Sequence, residues 1–597
     1  MTTPHLDYGA IGNGRLIALV GPDSGVDWLC LPRFDSPSVF ARILDEEKGG
    51  TFLIRPESGA VRGEWSYIRN TNVLRGVFEH GDTSWEVIDF APRILKGRAV
   101  DAPLELVRIV RPLKGTPRLL VEFDPRPDYA RITPRLVESG TSLYVEDSHV
   151  RLRLMSDAPI PFIAARQPLT LSRPHVFVVT ANPGRETCSL NEANFLLEET
   201  VRTWRIYARS LALPGFADEA IIRSALCLAL HAHDNTGSII AAATTSIPEA
   251  MGTPRTWDYR YCWLRDAAFV VEALRRVSKN AIGERFVHFL RNVAESGPLQ
   301  PLYGVAGERE LPEVTLDHLA GYGGTGPVRV GNAAALQQQN DLNGELLLCL
   351  DAVLGDPRIV LDDADGWYPL VKRLVEEAII IAPQPDTGIW EFRSMLRPYT
   401  FSRAMCWAAI ERGAAIARRL GHTADAERWG QKAKEEREVV LTRGYSHAEK
   451  AFTQALDGKH ADASNLLLPS MGLIDARDER FQNTLADYEK RLVRNGLMLR
   501  YVNEDDFGET TSAFTICSFW WAEALALSGR LEDATRLFEK LMRYQNPLGL
   551  FSEDVDPTTG QLLGNFPQAY THVGLIHAAV TIGELQAARD GRVRAWV

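Results

Sequence analysis

The sequence is most informative first for what it lacks. It has no CxxC pair, and its seven cysteines (Cys30, Cys188, Cys227, Cys262, Cys349, Cys406 and Cys517) are an odd number scattered along the chain. That pattern argues against a disulfide frame or a zinc site and for free thiols in a reducing compartment. No apolar run approaches the roughly 18 residues of a membrane span. No basic stripe stands out, and a formal charge of -11 would repel a phosphate backbone, so a nucleic-acid binder is excluded. The N-terminus, Met1-Thr2-Thr3-Pro4-His5-Leu6-Asp7-Tyr8-Gly9, has neither the basic nor the apolar segment of a secretion signal. These absences predict a cytoplasmic chain with no nucleic-acid or membrane partner.

What is present is a long, ordinary globular chain. Its 597 residues exceed the size at which one core keeps growing, so more than one domain is expected. Hydrophobic content of 45% with 24% charged residues fits a soluble fold. Residues 1–188 read as β structure. Arg15 to Val20, the turn Gly21-Pro22-Asp23-Ser24-Gly25 and Val26 to Leu31 make a hairpin by turn chemistry and apolar flanks. Short β-rich pieces follow at 51–55, 85–90, 104–110, 119–123, 143–145, 150–155 and 176–180. Many short strands without intervening helices predict an antiparallel β-sandwich.

A helical linker is expected over 189–215, carried by Phe195, Leu196, Val201, Trp204 and Tyr207 and closed by Leu213-Pro214-Gly215. From 216 to 597 the period changes to 3.6. Helices are expected to begin near Ala217, Asp266, Asn280, Ala335, Asp365, Thr400, Thr423, Ser464, Asp478, Thr511, Leu531 and Pro567. Residues 531–542 show a one-sided apolar stripe, whereas 221–230 and 404–415 are apolar nearly all round. Twelve helices without strands between them predict a double ring, six inside six. The fold class is therefore α+β and multidomain: an N-terminal antiparallel β-sandwich followed by an (α/α)6 barrel. The run Lys432 to Glu438 reads as a solvated helix face.

Long polar connections at 298–332, 383–398 and 546–566 interrupt the helices, and loops of that length in a compact domain usually carry function. They share the chain's unusual residues with Thr256-Trp257-Asp258-Tyr259-Arg260-Tyr261-Cys262-Trp263-Leu264-Arg265-Asp266, which packs four aromatic rings and two Arg-Asp pairs into eleven residues. Flat rings beside fixed charges suit a sugar, which offers apolar faces and a rim of hydroxyls. A salt bridge amid interface aromatics reads the same stretch equally well.

Two loop carboxylates extend the sugar reading. Glu391 stands between Trp390 and Phe392, and Glu553 follows Leu550-Phe551-Ser552. A carboxyl against an aromatic wall holds its proton to higher pH, and a second, ionised one can activate water, the pair that glycoside hydrolysis needs. Taken alone, each also reads as a cap, a surface ion pair or turn chemistry.

The stretch 256–266 resembles the substrate-site motif of the family 15 glycoside hydrolases, the glucoamylase-like enzymes. Gly12-Asn13-Gly14-Arg15, Gly25-Val26-Asp27-Trp28-Leu29, Pro32-Arg33-Phe34-Asp35, Tyr303-Gly304-Val305, Leu316-Asp317-His318, Pro327 to Ala334, Met405-Cys406-Trp407 and Gly564-Asn565-Phe566-Pro567-Gln568 are similar to segments of the bacterial members, trehalases among them. The resemblance implies the sandwich and barrel just described and release of β-glucose from α-glucosides with inversion. It implies that Glu391 is the general acid and Glu553 the general base, with Asp554 an alternative base. It places Arg265 and Asp266 on the glucose at the cleavage point, with Trp263 and Tyr259 in the same pocket. Trp390, Tyr303, Arg309 and His318 are expected near the substrate, although His318 also reads as a loop tie, and His572 reads as a packed histidine. No cofactor or metal is implied.

Trehalose is the first substrate expected, with maltooligosaccharides or isomaltose-type sugars second. A disaccharide phosphorylase and a non-catalytic sugar binder are the competing classes. The surface leaves room for a homo-oligomer. Ser394-Met395-Leu396 stands where many relatives have glycine, so a differently shaped acid loop is expected.

Overall fold

The computed structural model describes residues 5–97, 99–185, 188–359 and 365–591. Two antiparallel sheets form its N-terminal part. One runs Gly9–Gly12, Ile17–Val20, Val26–Cys30, Thr51–Pro56, Arg118–Asp124 and Leu169–Thr170, with Ser38–Phe40 paired to Val26–Cys30. The other runs Leu136–Ser139, Ser142–Val145, Arg153–Ser156, His175–Thr180, Glu105–Lys114, Thr83–Phe90, Leu74–His80 and Glu64–Tyr67. Alternation sends Leu119, Val121 and Phe123 inward, where the Phe123 ring meets Phe40 at 6.0 Å and Phe52 at 5.7 Å, as a half-buried strand requires.

The expected hairpin is present, with Ala18 opposite Leu29. Several strands had no clear signal in sequence. Leu74–His80 is interrupted by Gly76, yet that glycine is needed: a Cβ there would lie 2.7 Å from the Trp65 indole of the paired strand.

Helix α1 (Leu190–Arg209) follows, its first turn capped by Ser189 Oγ, which accepts from the Glu192 amide at 3.2 Å. Ala193, Leu196, Thr200 and Trp204 form its buried face, while Phe195 turns to solvent.

Eleven α-helices follow among the described residues: α2 (Asp218–His231), α3 (Leu264–Arg276), α4 (Ala281–Glu295), α5 (Leu342–Leu354), α6 (Tyr368–Ile381), α7 (Thr400–Arg419), α8 (Thr423–Arg443), α9 (Glu479–Arg491), α10 (Thr515–Leu527), α11 (Leu531–Leu541) and α12 (Ala569–Arg589). Helix α3 packs on α5, α5 on α7, α7 on the 3-10 segment Ala463–Leu467, that segment on α10, α10 on α12, and α12 back on α3. The inner ring is thus five α-helices and one short 3-10 piece, and the remaining helices back it. Inner α10 is buried almost all round, while outer α11 buries only Ala534, Leu537, Phe538 and Leu541.

Three expectations need correction. The helix expected near Ala335 begins at Leu342, because Ala333–Leu336 is a 3-10 turn capped by Asn332. The helix expected near Ser464 is the 3-10 segment, capped by Asp462. Within the charged run 432–438, Glu436 is buried and pairs with Arg403 and, at 2.9 Å, with Lys432.

The sandwich holds the longest barrel loop. Asp35 accepts from the Val305 amide at 2.7 Å, Asp45 from the Ala320 amide at 3.0 Å, and Lys48 Nζ donates to the His318 carbonyl at 2.6 Å. No helix among the described residues is long and apolar enough to cross a membrane.

Candidate active site

A pocket opens at the end of the ring where the inner helices begin. Arg265 and Asp266 stand in the first turn of α3, Tyr570 in the first turn of α12, and Phe514 caps α10. With them the lining includes Tyr259, Trp263, Trp390, Glu391, Glu249 and Arg500. The stretch 256–266, the connection 383–398 and residues 500–507 meet here, with Asn332 at the end of the 298–332 connection, as loops on a rigid scaffold do.

Glu391 is held by contacts rather than by an aromatic wall. Its Oε1 accepts from Trp263 Nε1 at 2.7 Å, from Arg265 at 3.1 Å and from Gln339 Nε2 at 3.1 Å. Oε2 has no hydrogen-bond partner among the described residues. The residue adopts a left-handed conformation (φ 60°), uncommon away from glycine and frequent at functional sites. Gly388 (φ 67°), three residues earlier, allows the tight turn, since a Cβ there would press on the Tyr399 ring at 2.9 Å.

Arg265 is the hub. It donates to Gln339 Oε1 at 2.8 Å and to Asp341 at 3.0 Å as well as to Glu391, yet its Nε stays 3.9 Å from Asp266. Asp266 therefore keeps oxygens turned to the pocket, and burial pushes its carboxyl up to about 7 despite Arg265. Trp390 sends Nε1 to Asp462 at 2.9 Å and lays its ring 6.1 Å from Trp520 and 6.2 Å from Phe514, forming part of the pocket floor.

Glu553 lies behind the wall and does not line the pocket. It is 1% exposed, its Oε2 accepts from the Asn565 amide at 3.1 Å, and Oε1 is buried with no partner among the described residues. Gly564 (φ 71°) makes its space, as a Cβ there would fall 2.6 Å from that of Glu553. Tyr259 lines the pocket and feels the charge of both glutamates. Its ring is 5.2 Å from Trp263, and its phenol is raised by burial first, then by Glu553, with Glu249 and Glu391 contributing. Burial, then Asp554 and Glu249, push the Glu553 carboxyl well up, while Arg500 opposes them. Asp554 sits in the short strand Asp554–Val555, paired with Ala513–Phe514, and burial raises it to about 7.

Tyr303, Arg309 and His318 are not among the residues that line the pocket. Tyr303 is fully buried opposite Cys262, its hydroxyl accepting from the Gln300 amide at 3.1 Å. Arg309 donates to the Pro298 carbonyl at 2.6 Å and, at 3.3 Å, to the Tyr303 hydroxyl, bracing its own loop. His318 Nε2 meets the Tyr129 carbonyl of the sandwich at 2.7 Å. His572 is packed, with Nδ1 2.9 Å from Ser224 Oγ.

Sequence reasoning missed Gln339 and Asp341, which hold Arg265. The polar run Gln337-Gln338-Gln339-Asn340-Asp341 before an apolar helix was the available signal. It also missed Glu249 and Arg500, an ion pair lining the pocket whose members are too far apart in sequence for any local pattern to join them. Among the described residues no three His, Cys, Asp or Glu side chains form a metal-ligating group.

Comparison with known proteins agrees with this geometry. Residues 215–580 match the glycosyl hydrolases family 15, and residues 4–160 match a trehalase-like N-terminal domain. A trehalase of Mycobacterium tuberculosis is 34% identical, covering 98% of this chain and 91% of its own. A trehalase of Thermoplasma volcanium is 31% identical, covering 99% and 95%. A bacterial glucoamylase solved with acarbose superposes with a TM-score of 0.70 at 14% identity, over 98% of this chain and 95% of its own, so the sandwich and (α/α)6 barrel are a shared fold. With catalytic-domain and N-terminal matches in register with the two halves of the structure, this chain belongs to the glycosyl hydrolases of family 15.

Proposed function

We propose that the protein is an inverting, exo-acting α-glucosidase whose substrate is trehalose. The observation that carries the reading is the network at the pocket: Trp263, Arg265 and Gln339 converge on Glu391, with Tyr259 packed against Trp263 at 5.2 Å. Three donors on Oε1 leave Oε2 to carry the acid proton. Glu391 gives it to the glycosidic oxygen as the bond breaks, and Glu553 takes a proton from a water attacking the anomeric carbon from the other side. Inversion needs separate carboxyls with room for a water between them, and the buried Oε1 of Glu553, without a partner among the described residues, is the atom left to take that proton. Glu553 must ionise to act, and the positive charge developing on the sugar favours that form. Asp266 and Arg265 grip the glucose hydroxyls.

Trehalose is favoured by relatives of nearly equal length whose named activity is trehalase. We read the chain as a sandwich (1–188), a helical linker (189–215) and a catalytic barrel (216–597), supported by the last sandwich strand ending at Thr180 and the first barrel helix starting at Asp218. The same reading has it act in the cytoplasm, supported by seven unpaired cysteines, all but Cys188 buried.

The test is an assay of purified protein against trehalose, maltose, isomaltose and soluble starch, with proton NMR of the first products. Inverting trehalose hydrolysis yields one α- and one β-glucose per bond broken. Two α-glucose molecules would overturn the assignment of Glu553, a strict requirement for phosphate with a glucose phosphate product would mark a phosphorylase, and faster cleavage of maltose or starch would overturn the substrate.

A further inference from the structure

The inner ring has a second opening. The first turns of α3 and α12 face the catalytic pocket. The later turns of α3, α5, α10 and α12, with Arg412 of α7 and residues 467–471, enclose a cavity of about 1060 Å³ at the other end.

Its charges are mostly spoken for. Glu272 pairs with Arg275 at 2.8 Å, Glu523 with Arg276 at 3.2 Å, Asp351 with Arg419 at 2.7 Å, and Asp356 with Arg358 at 2.6 Å. Such mutual neutralisation offers no net field to a free anion or cation. Two polar groups remain unserved. Glu345 is 2% exposed and neither carboxyl oxygen has a donor; burial first, then the neighbouring Asp341 carboxylate, push its carboxyl well up, while Arg265 opposes them. His577 Nε2 is likewise buried without a partner among the described residues, and burial lowers the pKa of the ring, favouring its neutral form. The rings of Trp520 and Phe269 also line the wall.

Paired charges, two unserved neutral hydrogen-bonding groups and two aromatic faces describe a site for a neutral polyol, which brings hydroxyls for the first need and C–H faces for the second. We propose that this cavity is a second binding site, distinct from the catalytic pocket, for an uncharged sugar of mono- or disaccharide size. Trp520 links the two. Its ring lies 6.1 Å from Trp390 and 5.9 Å from Tyr570, both in the catalytic pocket, so the indole that lines this cavity packs against two rings of the other site.

The probe is D-glucose, which is not turned over. Equilibrium dialysis of labelled glucose against the full chain should find two sites. Ala352→Trp, which fills the cavity from α5, should remove one and leave the other. His577→Leu should weaken the same site by roughly tenfold through one lost hydrogen bond. A single site in the unmodified protein overturns the proposal, as does a second site that both variants leave at full strength. If Ala352→Trp fails to fold, the His577 variant decides alone. Because the readout is stoichiometry and not turnover, a failure of trehalose hydrolysis would not touch it, and loss of the second site would not touch the catalytic reading.

Discussion

Asp258–Arg260 and Arg265–Asp266 belong to one short stretch and are built from the same two residue types. Their surroundings separate them. Arg260 grips Asp258 with two hydrogen bonds, 2.9 Å and 2.6 Å, and gives its remaining donors to the sandwich: the Ser36 carbonyl and the Tyr129 hydroxyl, both at 2.8 Å, and Cys30 Sγ at 3.4 Å. Both side chains are wholly buried. Arg265 leaves its own aspartate at 3.9 Å and reaches across the barrel to Gln339, Asp341 and Glu391. The first pair is closed and fastens two domains. The second is open, with the Arg265 Nε unspent and Asp266 lining the pocket beside it, and an unspent polar group beside a pocket is available to a ligand.

The largest effect should follow from breaking the open network at its reacting end. Glu391→Gln keeps the shape and the hydrogen bonds from Trp263 and Arg265 but has no proton to give, so kcat should fall by about 10² to 10⁴, the usual scale for general acid catalysis. Sugar binding, measured by equilibrium titration, should survive. Retained turnover would mean that the open pair serves structure as the closed pair does.

Breaking the closed pair should cost stability instead. Arg260→Met leaves Asp258 buried and unpaired, which costs about 3–5 kcal/mol, read as a lower denaturant midpoint. The folded fraction should keep its kcat, because Arg260 touches no pocket residue other than through the chain. Arg260→Met combined with Asp258→Leu should recover most of the loss, since replacing both partners of a buried pair is far milder than removing one. A fall in kcat without a fall in stability would erase the distinction between the two pairs.

The same contrast explains what the sequence disclosed. The change of period from two to 3.6 is a local property, so sandwich and barrel are legible without coordinates. Glu391, Arg265, Asp266, Trp263, Tyr259 and Trp390 were legible because each sits in a short motif with its own chemistry, and all six line the pocket. Tyr303, Arg309 and His318 sat in equally distinctive segments, yet those segments hold a long loop against the sandwich. A motif shows that side chains matter, and only packing shows whether they face a ligand or another loop. Glu249 with Arg500, and Gln339 with Asp341, were hidden for the converse reason: their partners come from distant turns of the ring.

A finer test bears on the two carboxyls behind the pocket wall. Burial raises both, Glu553 well above the ordinary carboxylate range with the Asp554 charge adding to it, and Asp554 to about 7, and adjacent buried carboxyls shed their protons in two shared steps and not as independent groups. The base works only when ionised, and its ionised fraction falls as pH falls through those steps. The acidic limb of kcat/KM should therefore lie above that of an unperturbed glutamate. Asp554→Asn removes the like charge while burial remains, so Glu553 ionises more readily and the limb should move to lower pH, by about one unit for a close carboxylate neighbour. Stability carries the matching sign. In the native protein these carboxyls keep protons that the unfolded chain has released above its own carboxylate pKa values, so folding stability declines as pH rises through that window. The variant has less to lose there and should gain on the parent toward neutral pH, measured by urea unfolding at acidic and neutral pH. A limb that stays in place would take the base role away from Glu553, and a limb that vanishes with the activity would give it to Asp554.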